Sequence, residues 1–210
     1  MDNLIISSHS KLWSKKDKNL LLGKWCLNKS ISNNRNLNYQ ILDYHWSNKK
    51  KIQKDIRYIK KLYNKILDIL VEYFNHIHNT NFSKKFWEII IYRWVWLSIS
   101  LLYDRWEIIS TLQKKRRKIK IKILNFNNYE QFIPIDTSEF NKTLQFDEIW
   151  NHWIFQKILE HKKFKFNRIK YLNLSQKKKY LKEKKLSKKI NFPYPFYQRF
   201  LNTREKIFLK

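Results

Sequence analysis

Leu20-Leu21-Leu22-Gly23-Lys24-Trp25-Cys26-Leu27 (LLLGKWCL, 20–27) opens with three leucines and then changes abruptly to a glycine, a cation and an indole. A short unbroken apolar run bounded by polar residues predicts a fully buried strand. Leu4-Ile5-Ile6-Ser7 (LIIS) has the same form upstream and predicts a companion strand. Gly23, the single glycine of the chain, marks the end of the second run. Glycine at such a turn permits a positive φ or a close backbone approach. Loops at strand carboxyl ends are also where open α/β sheets place ligands. Gly23, Trp25 and Cys26 are therefore candidate ligand contacts, the alternative being that Trp25 and Cys26 pack beneath the turn.

Downstream the apolar period changes from strand to helix. From Lys51 to His78, Ile52, Ile56, Ile59, Tyr63, Ile66, Leu70 and Tyr73 recur at spacings of four and three, one apolar helix face. Asn79–Asn81 breaks this helix, and Ser83 is a candidate N-cap for the next. Phe86–Tyr103 is apolar around nearly its whole circumference, which predicts a helix surrounded by protein. Glu88 and Arg93 within it argue against a membrane span. Ile119, Ile121 and Ile123 alternate with Lys120 and Lys122, a half-exposed strand ending near Phe126, and Leu144–Glu160 predicts a further helix. The alternation gives an α/β fold, a short parallel sheet flanked by long helices. Residues 1–162 are expected to form one lobe. Residues 163–210, with the lysine-rich run Lys177–Lys189 and then Pro193 and Pro195, are expected to be a loosely structured basic tail or the start of another lobe.

The chain has 210 residues, fitting one compact domain, and its 17% aromatic content argues for a packed core over disorder. Forty-five Lys and Arg against 17 Asp and Glu give a net charge of +28. Such a field draws nucleic acid, anionic membrane or anionic substrates, although the Lys-, Asn- and Ile-rich composition is also what an AT-rich genome writes. One cysteine excludes an internal disulfide and any multi-cysteine zinc site, and fits a reducing compartment. Met1–Ser10 has no basic-then-apolar pattern of a secretion signal, so a cytoplasmic location is expected. One glycine cannot build a P-loop, a dinucleotide-binding loop or a nucleophile elbow. No metal-ligand set is legible, since His76 and His78 have no acidic or cysteine partners nearby. No cofactor is expected.

Two more segments carry chemistry-bearing residues. His45, in Asp43-Tyr44-His45-Trp46, carries an imidazole, a group that when free titrates near neutrality; it could serve as general acid or base, contact a ligand, or simply be a hydrogen-bonded structural residue. In Tyr103-Asp104-Arg105-Trp106-Glu107, Arg105 could hold a phosphate or carboxylate with a carboxylate beside it to orient it, or form an ordinary ion pair at a helix end.

Read together, LLLGKWCL (20–27), YHW (44–46), LYNKILDILVEYFNHIHNTNFSKKFWEIII (62–91), LLYDRWE (101–107), FIPIDTSEF (132–140) and DEIWNHWIFQKILE (147–160) form an ordered set. That set resembles the transferases of bacterial lipopolysaccharide O-antigen and surface-polysaccharide biosynthesis, over roughly two-thirds of the chain. The resemblance implies a glycosyltransferase-like enzyme with an activated sugar donor and a glycan acceptor. It implies a two-lobed architecture of which this chain supplies the amino-terminal lobe, as a truncated or split form with a separately encoded second lobe. Carried over, His45 and Glu107 are the candidate proton-handling residues. Gly23, Trp25, Cys26, Trp46, Asp104, Arg105, Asn151 and His152 are the candidate substrate contacts, with Trp150 beside them. The chain departs from the family at Tyr92-Arg93-Trp94, where other members carry a small, glycine-containing break. Two other readings compete: a basic nucleic-acid-binding protein such as a ribosomal component, and a scaffold held at the inner membrane face by Lys177–Lys189.

Overall fold

The computed structural model describes residues 1–27, 37–114, 118–126, 132–134 and 136–171; Lys177–Lys189, Pro193 and Pro195 lie outside them. The chain divides into two compact units, one of Met1–Asp55 with Leu101–Leu172 and one containing Ile56–Ser100.

The first unit is built on a five-stranded, wholly parallel sheet. Its strands are β1 (Asp2–Ile5), β2 (Asn19–Leu21), β3 (Tyr39–Ile41), β4 (Ile119–Asn125) and β5 (Asn167–Lys170), in the order β3-β2-β1-β4-β5. Leu4, Ile5, Leu20, Leu21, Ile123 and Leu124 are fully buried, because strands of a parallel sheet covered on both faces have no solvent side. Registers Leu4↔Leu20 and Leu4↔Ile121 fix the three central strands. Near their amino ends, buried Asn3 and Asn19 replace apolar residues. Asn3 Nδ2 donates to Asn19 Oδ1 at 2.8 Å and to the Leu12 carbonyl at 2.9 Å, and Asn19 Nδ2 donates to the Ser14 carbonyl at 2.8 Å. These bonds tie the β1–β2 connection to both strands.

The two edge strands carry no apolar run to announce them: Tyr39 and Gln40 of β3, and Asn167 and Arg168 of β5, are exposed. β5 lies beyond position 162 and pairs in parallel with β4.

Four α-helices are present among the described residues: α1 (Lys49–Ile77), α2 (Lys84–Lys114), α3 (Thr137–Phe146) and α4 (Glu148–His161). The single helix expected over Leu144–Glu160 is two. Asp147 interrupts it in an extended conformation (φ −76°, ψ 111°) and accepts from the Trp150 amide at 2.8 Å, the N-cap of α4. None of the helices among the described residues is long and apolar enough to cross a membrane.

Within the second unit, residues 56–77 of α1 and 84–100 of α2 supply two helical arms. Tyr63 meets Trp96 and Tyr92 edge-on at 5.8 and 5.5 Å, and Val71, Phe74 and Ile89 pack against Phe82, Phe86 and Trp87. Ser83 caps α2 as expected, its Oγ accepting from the Phe86 amide at 3.1 Å. All-round burial of α2 is not found. Trp87, Ile91, Val95 and Ile99 form a buried row, whereas Ile90, Tyr92 and Trp94 are exposed. On α1, Ile59, Tyr63 and Leu67 are buried while Ile56 and Tyr73 of the expected stripe face out. A pair of helices covers only its facing rows, whatever the composition of the others.

Asn75 locks the turn between the arms. Its Oδ1 accepts from Thr80 Oγ1, the Phe82 amide and Trp87 Nε1 at 2.9–3.0 Å, and its Nδ2 donates to the Phe82 carbonyl at 3.0 Å. Asn75→Ala strands these partners and is expected to cost about 1–3 kcal/mol, measured by urea denaturation.

The sheet order reverses between β1 and β4, and His152 of α4 occupies that point. Leu124 N–H donates to its Nε2 at 2.9 Å, so Nδ1 carries the ring proton and donates to Ser7 Oγ at 2.9 Å. His152 is fully buried. Through this bond pair it pins α4 to the ends of β1 and β4. Burial, reinforced by the charge of His9, lowers its pKa from 6.5 to about 3. An unfolded chain binds a proton there near 6.5, and the folded one only near 3. The contribution to stability is thus complete above 6.5 and is lost as pH falls through that interval, with a slope of up to about 1.4 kcal/mol per pH unit. NMR of the ring nitrogens should show His152 neutral, with the proton on Nδ1, at pH 5.

Candidate functional site

The turn after β2, Lys24–Cys26, starts at Gly23, and the turn after β3, His45–Ser47, leads straight into α1. Both stand at strand carboxyl ends. The segment Tyr103–Glu107 of α2 and the first turn of α4 meet them there, all within the first unit.

Gly23 has an extended backbone (φ −174°), so its freedom at positive φ is not used. The second expectation, close approach, is what the turn needs. A Cβ at position 23 would stand 2.0 Å from the Trp25 ring, which folds back over it. Trp25 stacks on Phe155 at 6.1 Å and 9° and keeps 40% of its surface exposed. Cys26 is turned the other way. It is buried, its Sγ donates to the Ile5 carbonyl at 3.3 Å, and burial pushes its thiol up to about 12. It packs beneath the turn, where burial keeps the thiol protonated.

Arg105 lies against these rings, its guanidinium carbon 5.5 Å from the Trp25 centroid and 5.6 Å from Phe155. Its Nε and Nη2 donate to Asn151 Oδ1 at 3.1 and 3.0 Å, and Nη1 pairs with Asp104 Oδ2. Of the five N–H groups of a guanidinium, these bonds leave two for a ligand.

Asp104 collects the donors. Tyr44 Oη donates to its Oδ1 at 2.8 Å and His45 Nε2 at 2.9 Å, with Arg105 on the other oxygen. Burial alone would raise its pKa. The His45 hydrogen bond, the Arg105 charge and the Tyr44 hydroxyl outweigh burial and hold the carboxyl below the usual range. The same contacts raise the Tyr44 phenol, first through burial and then through Asp104. Because an ionised Asp104 only accepts, His45 Nε2 carries the proton and Nδ1 is bare in the neutral ring. Nδ1 makes no hydrogen bond.

Beside this group lies a second one that the sequence reading did not assemble. Buried Asp55 accepts from Trp46 Nε1 at 2.9 Å and from Lys51 Nζ at 2.7 Å, and Lys51 also reaches Glu107 at 2.8 Å. Burial would raise the Asp55 carboxyl, but Lys51, Trp46 and Tyr103 together lower it. Trp46 stacks on Tyr103 at 6.4 Å. The separation in sequence hid this group, since Lys51 and Asp55 sit on an otherwise ordinary lysine-rich helix start.

Trp25, His45, Trp46, Asp104, Arg105, Glu107 and Asn151 are therefore neighbours, with Gly23 beneath Trp25. Cys26 and His152 serve the core, and Trp150 is buried. A cavity of about 270 Å³ beside Leu112, Ile119 and Lys162, at the amino end of β4, is lined by none of them.

No curated protein and no solved structure matches this sequence. The model of the LIC12162 family of transferases matches residues 2–210. Spanning nearly its whole length, that match, on an α/β sheet with the candidate residues gathered at its strand ends, shows that the chain belongs to the LIC12162 transferase family.

Proposed function

We propose that this transferase moves a sugar from a nucleoside-diphosphate donor to a glycan acceptor in cell-surface polysaccharide assembly, and that Arg105 holds the donor's diphosphate. The observation that carries the reading is the pre-set guanidinium. Arg105 is fixed by Asp104 and Asn151, flanked by Trp25 and Phe155, and placed where α/β sheets bind ligands. A cation held by existing bonds needs no reorganisation when charge develops on a leaving group. In the transfer, the bond between the sugar anomeric carbon and the donor phosphate oxygen breaks, and that oxygen keeps the electron pair. A new bond forms from the same carbon to an acceptor hydroxyl, whose proton leaves to solvent. Arg105 meets the charge gathering on the departing diphosphate, and exposed Trp25 offers a face for the sugar or the base.

His45 and Glu107 enter this reading as positioning residues, because both are already engaged. The His45 side chain is only 2% exposed and fixes Asp104, while Glu107 is held by Lys51. Contact with an anionic membrane surface, suggested by the net charge of +28, belongs to the same proposal.

Because that field binds any polyanion weakly, the test keeps net charge constant. Arg105→Lys preserves the cation but loses the planar fork. Calorimetric titration with a panel of nucleoside diphosphates should find one bound with an affinity that drops roughly tenfold or more in Arg105→Lys and in Trp25→Ala. Equal affinity in wild type and both variants would remove the site from consideration.

A further inference from the structure

We propose that His45, Asp55 and Glu107 form a site for one divalent first-row cation, such as manganese or zinc, with Lys51 occupying its place when the cation is absent. One potential ligand atom from each of the three side chains lies within 4.8 Å of the others. Three ligand atoms each about 2.1 Å from a common ion stand roughly 3.0–3.6 Å apart, so closure draws each side chain inward by up to about 1 Å once Lys51 swings away. The Lys51 side chain is 31% exposed and can do so toward solvent.

Three independent features favour a cation there. First, His45 Nδ1 is a buried nitrogen without a hydrogen-bond partner, 4.0 Å from Asp55 Oδ2. Second, its other ring nitrogen donates to Asp104. A carboxylate on the far side is the arrangement that fixes tautomer and orientation in metal-ligating histidines. Third, Lys51 bonds both Asp55 and Glu107 through one ammonium, and the two carboxylates are largely enclosed. A divalent ion in its place would balance both carboxylates. One imidazole nitrogen and two carboxylate oxygens suit manganese and zinc, and no thiolate is involved.

Manganese(II) titrated into the whole chain and followed by electron paramagnetic resonance tests this. One ion should bind saturably to wild type. Glu107→Gln and His45→Ala should weaken it roughly tenfold or more, and Lys51→Met, which removes the competing ammonium, should tighten it. Circular dichroism identifies any variant that has unfolded, and the Lys51→Met arm stands without the His45 variant. Absence of saturable binding in both wild type and Lys51→Met overturns the proposal, as does equal affinity in Glu107→Gln. Neither result bears on diphosphate binding by Arg105, which is measured without the metal.

Discussion

A single buried carboxylate, Asp104, sets the arrangement on which the rest of the strand-end surface depends. Three donors from two parts of the chain converge on it: the Tyr44 hydroxyl and His45 imidazole after β3, and the neighbouring Arg105 on α2. A charge removed from water is tolerated only when paired and hydrogen-bonded, so none of the three can move without cost. The constraint passes through Arg105 to Asn151 on α4, and through the guanidinium face to Trp25 and Phe155. The turns after β2 and β3 and the helices before β4 and β5 are thereby held as one surface. Arg105 is thus a fixed cation at the strand ends of a chain that belongs to a transferase family.

Much of the scaffold was legible in the sequence because it follows from local period. LIIS and LLLG mark the central strands to within two residues, and the alternating isoleucines mark β4. Edge strands β3 and β5 escaped because half-exposed edges need no apolar run. The break at Asp147 escaped because its capping bond mimics a helical polar residue until the backbone turns.

The candidate residues divide by a different rule. Residue type alone pointed to Trp25, His45 and Arg105, and all three stand together. Residue type also pointed to Cys26, and the family resemblance to His152, whose groups are engaged by the Ile5 carbonyl, Ser7 and Leu124. No local pattern separates a buried histidine that closes a sheet from one that faces a site. The pairing of Lys51 with both Asp55 and Glu107 was equally hidden, since Glu107 lies 56 residues from Lys51 and only the meeting of α1 and α2 joins them.

Asp104→Asn is the most direct probe of this account. The amide keeps the shape and can still accept from Tyr44 or His45, but it no longer balances Arg105. The prediction is a folded protein whose nucleoside-diphosphate affinity falls roughly tenfold although Arg105 itself is untouched. Undiminished affinity would contradict the claim that Asp104 organises the site.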